Sequence, residues 1–131
     1  PSLAPVVSAV DVLSNLSTKK QTILDARAAD RFRGENETID PVAGHIPGAK
    51  NRCFKDNLLD DGKFKAAETL RSDFSALISS PQSTILQCGS GISACHNALA
   101  MEIAGLSGAS LYPGSWSEWS SDKSRPVATG A

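Results

Sequence analysis

A cysteine in a short loop containing two glycines is the residue of this sequence best placed to do chemistry. The segment 87–95 reads Gln-Cys-Gly-Ser-Gly-Ile-Ser-Ala-Cys, with Cys88 near its start. An apolar run at 84–86 predicts a strand before it, and a helical pattern runs from Ser93 to about Leu106. A sulfur at such a junction meets backbone N–H groups and the positive end of a helix dipole, which favour the thiolate. Cys88 is therefore the candidate nucleophile.

Segments typical of strands and of helices alternate along the chain, which predicts an open, mostly parallel α/β sheet with helices on both faces. Ser8 is a candidate N-cap for a first helix whose inner face would carry Val10, Leu13 and Leu16. The other expected elements are strands at 22–24, after the turn 45–49, at 84–87 and at 110–112, and helices within 26–33, 65–78, 93–106 and after 113–115.

The composition is that of an ordinary globular domain and excludes several classes of protein. The chain has 131 residues and a formal net charge of −1, which fits one domain with a modest core. No basic run points to a nucleic acid or to a membrane surface, and no apolar stretch approaches the roughly 20 residues of a membrane helix. Three cysteines without a Cys-x-x-Cys pair predict reduced thiols in a cytoplasmic setting and no metal site.

Charged residues cluster where the predicted strands end. Sites in open α/β sheets lie at the carboxyl ends of the strands, so Asp25 and Cys88 are expected at one edge of the sheet. Arg27 and Arg31 follow Asp25 closely, and His45 precedes another strand. Such a rim suits an anionic substrate with a reactive sulfur, because a cationic side chain can hold the anion while the thiolate attacks.

Several of these residues also have structural interpretations. We expect Asp25 and Arg27 to form a buried charge pair that holds the strand end. His45 is expected to fix the turn before Pro47 through an imidazole N–H, rather than to transfer protons. Cys95 lies within the predicted helix that follows the loop, and its side chain is expected in the hydrophobic core. For Arg31, the alternative to substrate binding is a surface ion pair.

Several segments together resemble the catalytic domain of a rhodanese-type sulfurtransferase. They are Leu-Asp-Ala-Arg at 24–27, Arg-Phe at 31–32, Gly-His-Ile-Pro-Gly-Ala at 44–49, the loop that opens at Cys88, and Tyr-Pro-Gly-Ser-Trp-Ser-Glu-Trp at 112–119. The resemblance covers nearly the whole chain. It implies that residues 1–131 form a single rhodanese domain, of the kind that is C-terminal in a longer protein whose N-terminal rhodanese domain completes the site. It implies no cofactor.

A cysteine followed by Gly-Ser-Gly resembles the 3-mercaptopyruvate sulfurtransferase branch of this family, whereas the thiosulfate-preferring branch carries basic residues in the loop. None stands between Cys88 and Ala94. The resemblance implies that the Cys88 thiolate accepts a sulfane sulfur as a persulfide. A thiophile then removes that sulfur: cyanide in assays, or thioredoxin or another thiol in cells.

The resemblance also implies roles for the neighbours of Cys88. Arg31 would bind the substrate carboxylate, and the loop residues would hold the substrate and the persulfide through their N–H groups. These loop residues are Gly89, Gly91, Ile92 and Ser93. Ser90 would relay a proton or hydrogen-bond the departing group, with a loop-capping hydroxyl as its structural alternative.

One departure from the family pattern bears on the substrate. Relatives that use mercaptopyruvate often carry a second substrate-binding arginine after the Arg-Phe pair. Residues 34–42 contain none, and Asp40 stands near that place in a polar stretch, 34–43, that predicts a surface loop. A thiosulfate sulfurtransferase therefore stays open as an alternative, as does a non-catalytic rhodanese-like module. A cysteine phosphatase is excluded because Ala94 occupies the position of its phosphate-binding arginine.

Overall fold

A sheet of four parallel strands runs through the computed structural model, which describes residues 5–38, 40, 42–89 and 92–130. The strands are β1 (Thr22–Asp25), β2 (Lys50–Asn51), β3 (Thr84–Gln87) and β4 (Ser110–Leu111), in the spatial order β2–β1–β3–β4. The strand that leads into Cys88 is thus an inner one, with a neighbour on each side. The predicted parallel α/β sheet is confirmed.

Helices cover both faces of this sheet, as predicted. They are α1 (Ala9–Thr18), which begins after the predicted N-cap Ser8, α2 (Ala29–Arg33), α3 (Ala67–Ser75), α4 (Ile92–Ile103) and α5 (Ser115–Ser121). Side chains alternate along each strand. Leu24 and Leu86 therefore join the hydrophobic cluster under α3 and α4, whereas Ile23 and Ile85 join the cluster under α1 and α5. Burial on both faces explains why the two inner strands, β1 and β3, each carry adjacent apolar residues.

The predicted inner face of α1 is wrong for Val10 and Leu13, whereas Leu16 packs against the core as predicted. Val10 is 70% exposed and Leu13 43% exposed, whereas Val12 and Asn15 are buried. Asn15 lies inside because its side-chain amide pairs with both the N–H and the carbonyl of Gln21, at 2.8 and 2.9 Å, just ahead of β1. That pairing rotates the helix away from the face that its apolar spacing favoured.

The predicted core position of Cys95 is also wrong. On α4 the residues that face the sheet are Ala94, Asn97 and Met101, and Cys95 points outward, exposed. None of the three cysteines, all within the described ranges, forms a disulfide. Within those ranges no helix is both long and apolar enough to cross a membrane.

Candidate active site at the carboxyl ends of the strands

The carboxyl ends of β1, β2 and β3 surround one cavity of about 290 Å³. Cys88 lies in its wall with only 2% of its surface exposed. The register pairs Asp25 with Gln87, so the predicted meeting of Asp25 and Cys88 at one sheet edge is confirmed. The cavity is lined by Arg27, Ala28, Arg31, Asp40, Cys53, Phe54, Lys55, Cys88, Gly89, Ser93 and Ser117.

The structure brings together most of the predicted site residues but not all of them. Arg27, Arg31, Gly89 and Ser93 share the cavity with Cys88, and Asp25 lies behind it. Ser90 and Gly91 lie outside the described residues, and Ile92 is described only as the first residue of α4. Their predicted roles therefore stay predictions.

The first turn of α5 fixes the start of the Cys88 loop. The Cys88 N–H donates to the Ser115 hydroxyl oxygen at 3.0 Å. The Cys88 carbonyl accepts from the Trp116 N–H, and the Gly89 carbonyl accepts from the Ser117 N–H, both at 2.8 Å. Sequence reasoning treated Ser115 as an ordinary turn residue, because nothing local links it to a loop 27 residues earlier. The loop is thus held by backbone groups that do not depend on the cysteine side chain.

Replacing Ser115 with alanine is expected to lower the free energy of unfolding by about 1–3 kcal/mol, since the buried Cys88 N–H loses its acceptor. Ser120→Ala is a matched control, because this buried serine of α5 only donates to the Trp116 carbonyl at 2.7 Å. Its expected cost is below about 1 kcal/mol. Urea unfolding of both variants measures the difference, and equal costs would contradict the anchoring role of Ser115.

The predicted buried pair of Asp25 and Arg27 is present. The Arg27 guanidinium donates to the Asp25 carboxylate at 2.7 to 3.1 Å and to the Gly44 carbonyl at 2.7 Å, with both side chains at most 2% exposed. Arg27 also lies 5.0 Å from the ring centre of Trp116. Its Nη1 atom has no hydrogen-bond acceptor among the described residues and lies 3.7 Å from Glu37. Arg27 is therefore a firmly held cation in the cavity wall, with one buried nitrogen that has no acceptor in the described part of the chain.

Arg31 lies directly beside the Cys88 loop. Its guanidinium nitrogens are 3.8 Å from the point that a Cβ on Gly89 would occupy, so a side chain there would contact the arginine. Nη2 is 3.1 Å from Glu37 and 3.8 Å from Asp40, and Nε has no acceptor among the described residues. Arg31 is thus paired with carboxylates on one side, and its buried Nε has no acceptor in the part of the chain that the structure describes. The ion pair expected as the alternative for Arg31 is present, although it is partly buried rather than at the surface, and substrate binding by Arg31 stays a prediction.

The expectation of a surface loop at 34–43 is wrong for two of its three acidic residues. The side chains of Glu37 and Asp40 are only 6% and 9% exposed, because they turn inward to the two arginines. Asp40 also accepts a hydrogen bond from the Ser117 hydroxyl at 2.9 Å. A carboxylate therefore stands beside Arg31, near the place where mercaptopyruvate-using relatives carry a second arginine.

His45 has a structural place outside the cavity wall. Its ring stacks on Phe32 with centroids 3.8 Å apart, and its Nδ1 lies 2.6 Å from the Phe32 carbonyl. Because a carbonyl only accepts, Nδ1 carries the proton. The predicted structural role is confirmed, with the Phe32 carbonyl as the partner of the imidazole N–H.

Cys53 and Lys55 are among the residues of the cavity wall that escaped sequence reasoning. A buried network holds their segment: Arg52 donates to Asn57 at 3.0 Å, Asn57 to Asn97 at 2.7 Å, and Asn97 back to the Arg52 carbonyl at 3.0 Å. The sequence feature that could have identified Cys53 and Lys55 was their position just after β2, at the same edge of the sheet as Cys88. Among the described residues no group of three His, Cys, Asp or Glu side chains could hold a metal ion.

A family model for the rhodanese-like domain matches residues 8–122. The chain belongs to the rhodanese-like domain family. This rhodanese domain is 48% identical, over 99% of its length, to a probable 3-mercaptopyruvate sulfurtransferase of Pseudomonas aeruginosa. It is 40% identical, over 82% of its length, to the thiosulfate sulfurtransferase of Mus musculus. Curated relatives of the domain are therefore sulfurtransferases named for both donors.

Solved structures show the same fold. The 3-mercaptopyruvate sulfurtransferase from Leishmania major superposes with a TM-score of 0.76 and 30% identity, over 96% of this rhodanese domain and 35% of that chain. The domain likewise spans 46% of the Pseudomonas protein and 38% of the mouse protein. It thus corresponds to less than half the length of each of these relatives.

Proposed function

We propose that this rhodanese domain is a sulfurtransferase that moves a sulfane sulfur from 3-mercaptopyruvate to a thiophilic acceptor through a persulfide on Cys88. The observation that carries the proposal is the shared cavity: Cys88 follows an inner strand, and the side chains of Arg27 and Arg31 line the same cavity. The names of the curated relatives support the same reaction class. Because it needs a reduced thiol, the reaction belongs in a reducing compartment such as the cytoplasm.

In the proposed first step, Arg31 holds the donor carboxylate and the Cys88 thiolate attacks the donor sulfur. A sulfur–sulfur bond forms as the carbon–sulfur bond breaks, and the electron pair leaves with carbon as the enolate of pyruvate. Protonation of that enolate gives pyruvate, and Ser90 is our candidate to pass the proton. In the second step a thiophile such as cyanide, thioredoxin or another thiol attacks the outer sulfur and regenerates the thiolate.

Charge at the site favours mercaptopyruvate over thiosulfate as the donor. Each arginine that faces the cavity has a carboxylate against it: Asp25 and Glu37 for Arg27, Glu37 and Asp40 for Arg31. Carboxylates at these distances reduce the positive field that an incoming anion meets. A dianion such as thiosulfate loses about twice as much attraction from this as a monoanion does. The site therefore suits the 2-oxo acid better.

The donor experiment measures the rate at which the protein gains one sulfur atom from each donor, by intact-protein mass spectrometry. We expect loading from mercaptopyruvate to be faster. Glu37→Gln and Asp40→Asn should each raise the thiosulfate-to-mercaptopyruvate ratio by about tenfold, equivalent to about 1.4 kcal/mol of electrostatic preference. Glu35→Gln is the control, since its carboxylate pairs with Arg33 at the surface.

The outcomes separate the competing functions. Faster loading from thiosulfate, with a ratio unchanged by Glu37→Gln and Asp40→Asn, would identify a thiosulfate sulfurtransferase. Loading from neither donor would favour a non-catalytic rhodanese-like module.

Because the matched relatives are longer than this chain, we also propose that a preceding rhodanese domain completes the site. Turnover measured with and without that domain tests this part.

A further inference from the structure

A second cysteine, Cys53, lies on the wall of the same cavity as Cys88. It follows β2 by two residues and is half-buried, whereas Cys88 is 2% exposed. Its neighbour Arg52 belongs to the buried network with Asn57 and Asn97, which holds this part of the wall in place. Cys95 is exposed on α4 and is not part of the wall.

The backbone sets the distance between the two cysteines. The Phe54 N–H donates to the Ala26 carbonyl at 3.0 Å, and the Ala26 N–H donates to the Gln87 carbonyl at 2.9 Å. The segments that carry Cys53 and Cys88 are thus two strand spacings apart, about 10 Å. A disulfide needs Cα atoms within about 7 Å, so this backbone excludes a direct Cys53–Cys88 bond.

A persulfide on Cys88 shortens the distance to the Cys53 sulfur. It places a further sulfur about 2 Å beyond the Cys88 sulfur, into the cavity that the two side chains share. Transfer needs only contact between the Cys53 sulfur and that outer sulfur, not a bond between the two cysteines. The backbone spacing that is too long for a Cys53–Cys88 disulfide therefore still allows a sulfur atom to pass from Cys88 to Cys53.

We propose that Cys53 is a second sulfur carrier, which takes the sulfane sulfur from Cys88 and presents it to protein acceptors. This inference rests on the proposed Cys88 persulfide. The Cys53 thiol releases its proton to solvent, and its thiolate attacks the outer sulfur. The Cys53–sulfur bond forms as the Cys88–sulfur bond breaks, and Cys88 departs as a thiolate. Nothing is oxidised or reduced overall, so no further reactant is needed.

The difference in burial between Cys88 and Cys53 explains what the proposed sulfur transfer would achieve. A small thiophile such as cyanide can enter a cavity of about 290 Å³. An acceptor protein is too large to enter it, so its thiol cannot easily reach a buried sulfur. Moving the sulfane sulfur from a nearly buried side chain to a half-buried one brings it closer to such an acceptor. Cys53 would thus separate loading, which requires enclosure, from delivery, which requires access.

The test loads the protein with 3-mercaptopyruvate or thiosulfate and locates the added sulfur by peptide mass mapping. In the unaltered protein we expect it on both Cys88 and Cys53, and in Cys88→Ser on neither. In Cys53→Ser it should stay on Cys88, and delivery to reduced thioredoxin should slow by at least about tenfold as the intramolecular step is lost. Delivery to cyanide should slow much less than delivery to thioredoxin. Cys95→Ser is the matched control and should behave as the unaltered protein.

Two results would overturn the proposed transfer of sulfur from Cys88 to Cys53. One is Cys88 loaded while Cys53 never gains sulfur, and the other is Cys53 loaded equally well in Cys88→Ser. Equal delivery to thioredoxin by Cys53→Ser and the unaltered protein would overturn the delivery role. Failure to load Cys88 at all would instead refute the proposed function, so the two failures are distinguishable.

Discussion

Replacing Cys88 with serine is expected to abolish sulfur uptake from the donor, with a loss of at least about a thousandfold in transfer rate, as is typical when a nucleophile is removed. A hydroxyl at this position is far less ionised than a thiol and forms no persulfide. Intact-mass measurement after incubation with donor should show no added sulfur. Thiocyanate formation with cyanide as the acceptor gives the rate.

The fold should survive this change. The hydrogen bonds that hold the loop start use the Cys88 N–H and carbonyl, which serine retains. We expect a cost of about 1–2 kcal/mol for placing a hydroxyl there, against the 5–15 kcal/mol of a typical domain. A Cys88→Ser protein that is folded and still gains one sulfur would refute the assignment of Cys88 as the sulfur carrier. Cys95→Ser controls for general effects of losing a thiol.

Replacing Asp25 with alanine is expected to cause the largest loss of stability, about 3–5 kcal/mol, because it leaves the charge of Arg27 buried without its main partner. Both side chains are at most 2% exposed, so water cannot substitute for the carboxylate. The free energy of unfolding from urea titration measures the loss. A domain of ordinary stability would then be folded only marginally at 37 °C.

A surface pair serves as the matched control for this prediction. Glu35→Ala removes the partner of Arg33, where the two side chains are 57% and 40% exposed. The expected cost is below about 1 kcal/mol, because solvent screens the pair. Similar costs for Asp25→Ala and Glu35→Ala would show that burial of the Asp25–Arg27 pair contributes little. The predicted difference would then be wrong.

Much of the candidate site could be predicted because its signals are local. The apolar run before Cys88 and the helical pattern after it predicted a strand, a loop and a helix, and α4 begins one residue before the predicted start. The Asp25–Arg27 pair was predictable for the same reason, since only one residue separates them in sequence and the strand ends at Asp25. Parallel topology then places both groups at one edge, because carboxyl ends of parallel strands coincide.

The side-chain positions that sequence reasoning predicted wrongly or did not predict share a different cause. The α1 face was misassigned because Asn15 finds its partners at Gln21, beyond the helix, and Cys95 points outward because the angle of α4 on the sheet is set by packing. Periodicity identifies a helix but not which of two neighbouring stripes meets the core. Ser115 was likewise invisible as an anchor for the Cys88 loop, since its contact spans 27 residues.

The sequence by itself therefore determined the order of elements, the candidate nucleophile and the edge of the sheet where it lies, because these follow from neighbours in the chain. Only the tertiary structure decided the charge of the cavity and its second thiol. Glu37 and Asp40 turn inward to pair with Arg27 and Arg31. Cys53 shares a cavity with Cys88 because β2 and β3, which precede them, both flank β1. Such contacts depend on which distant segments pack together, and no local pattern records that.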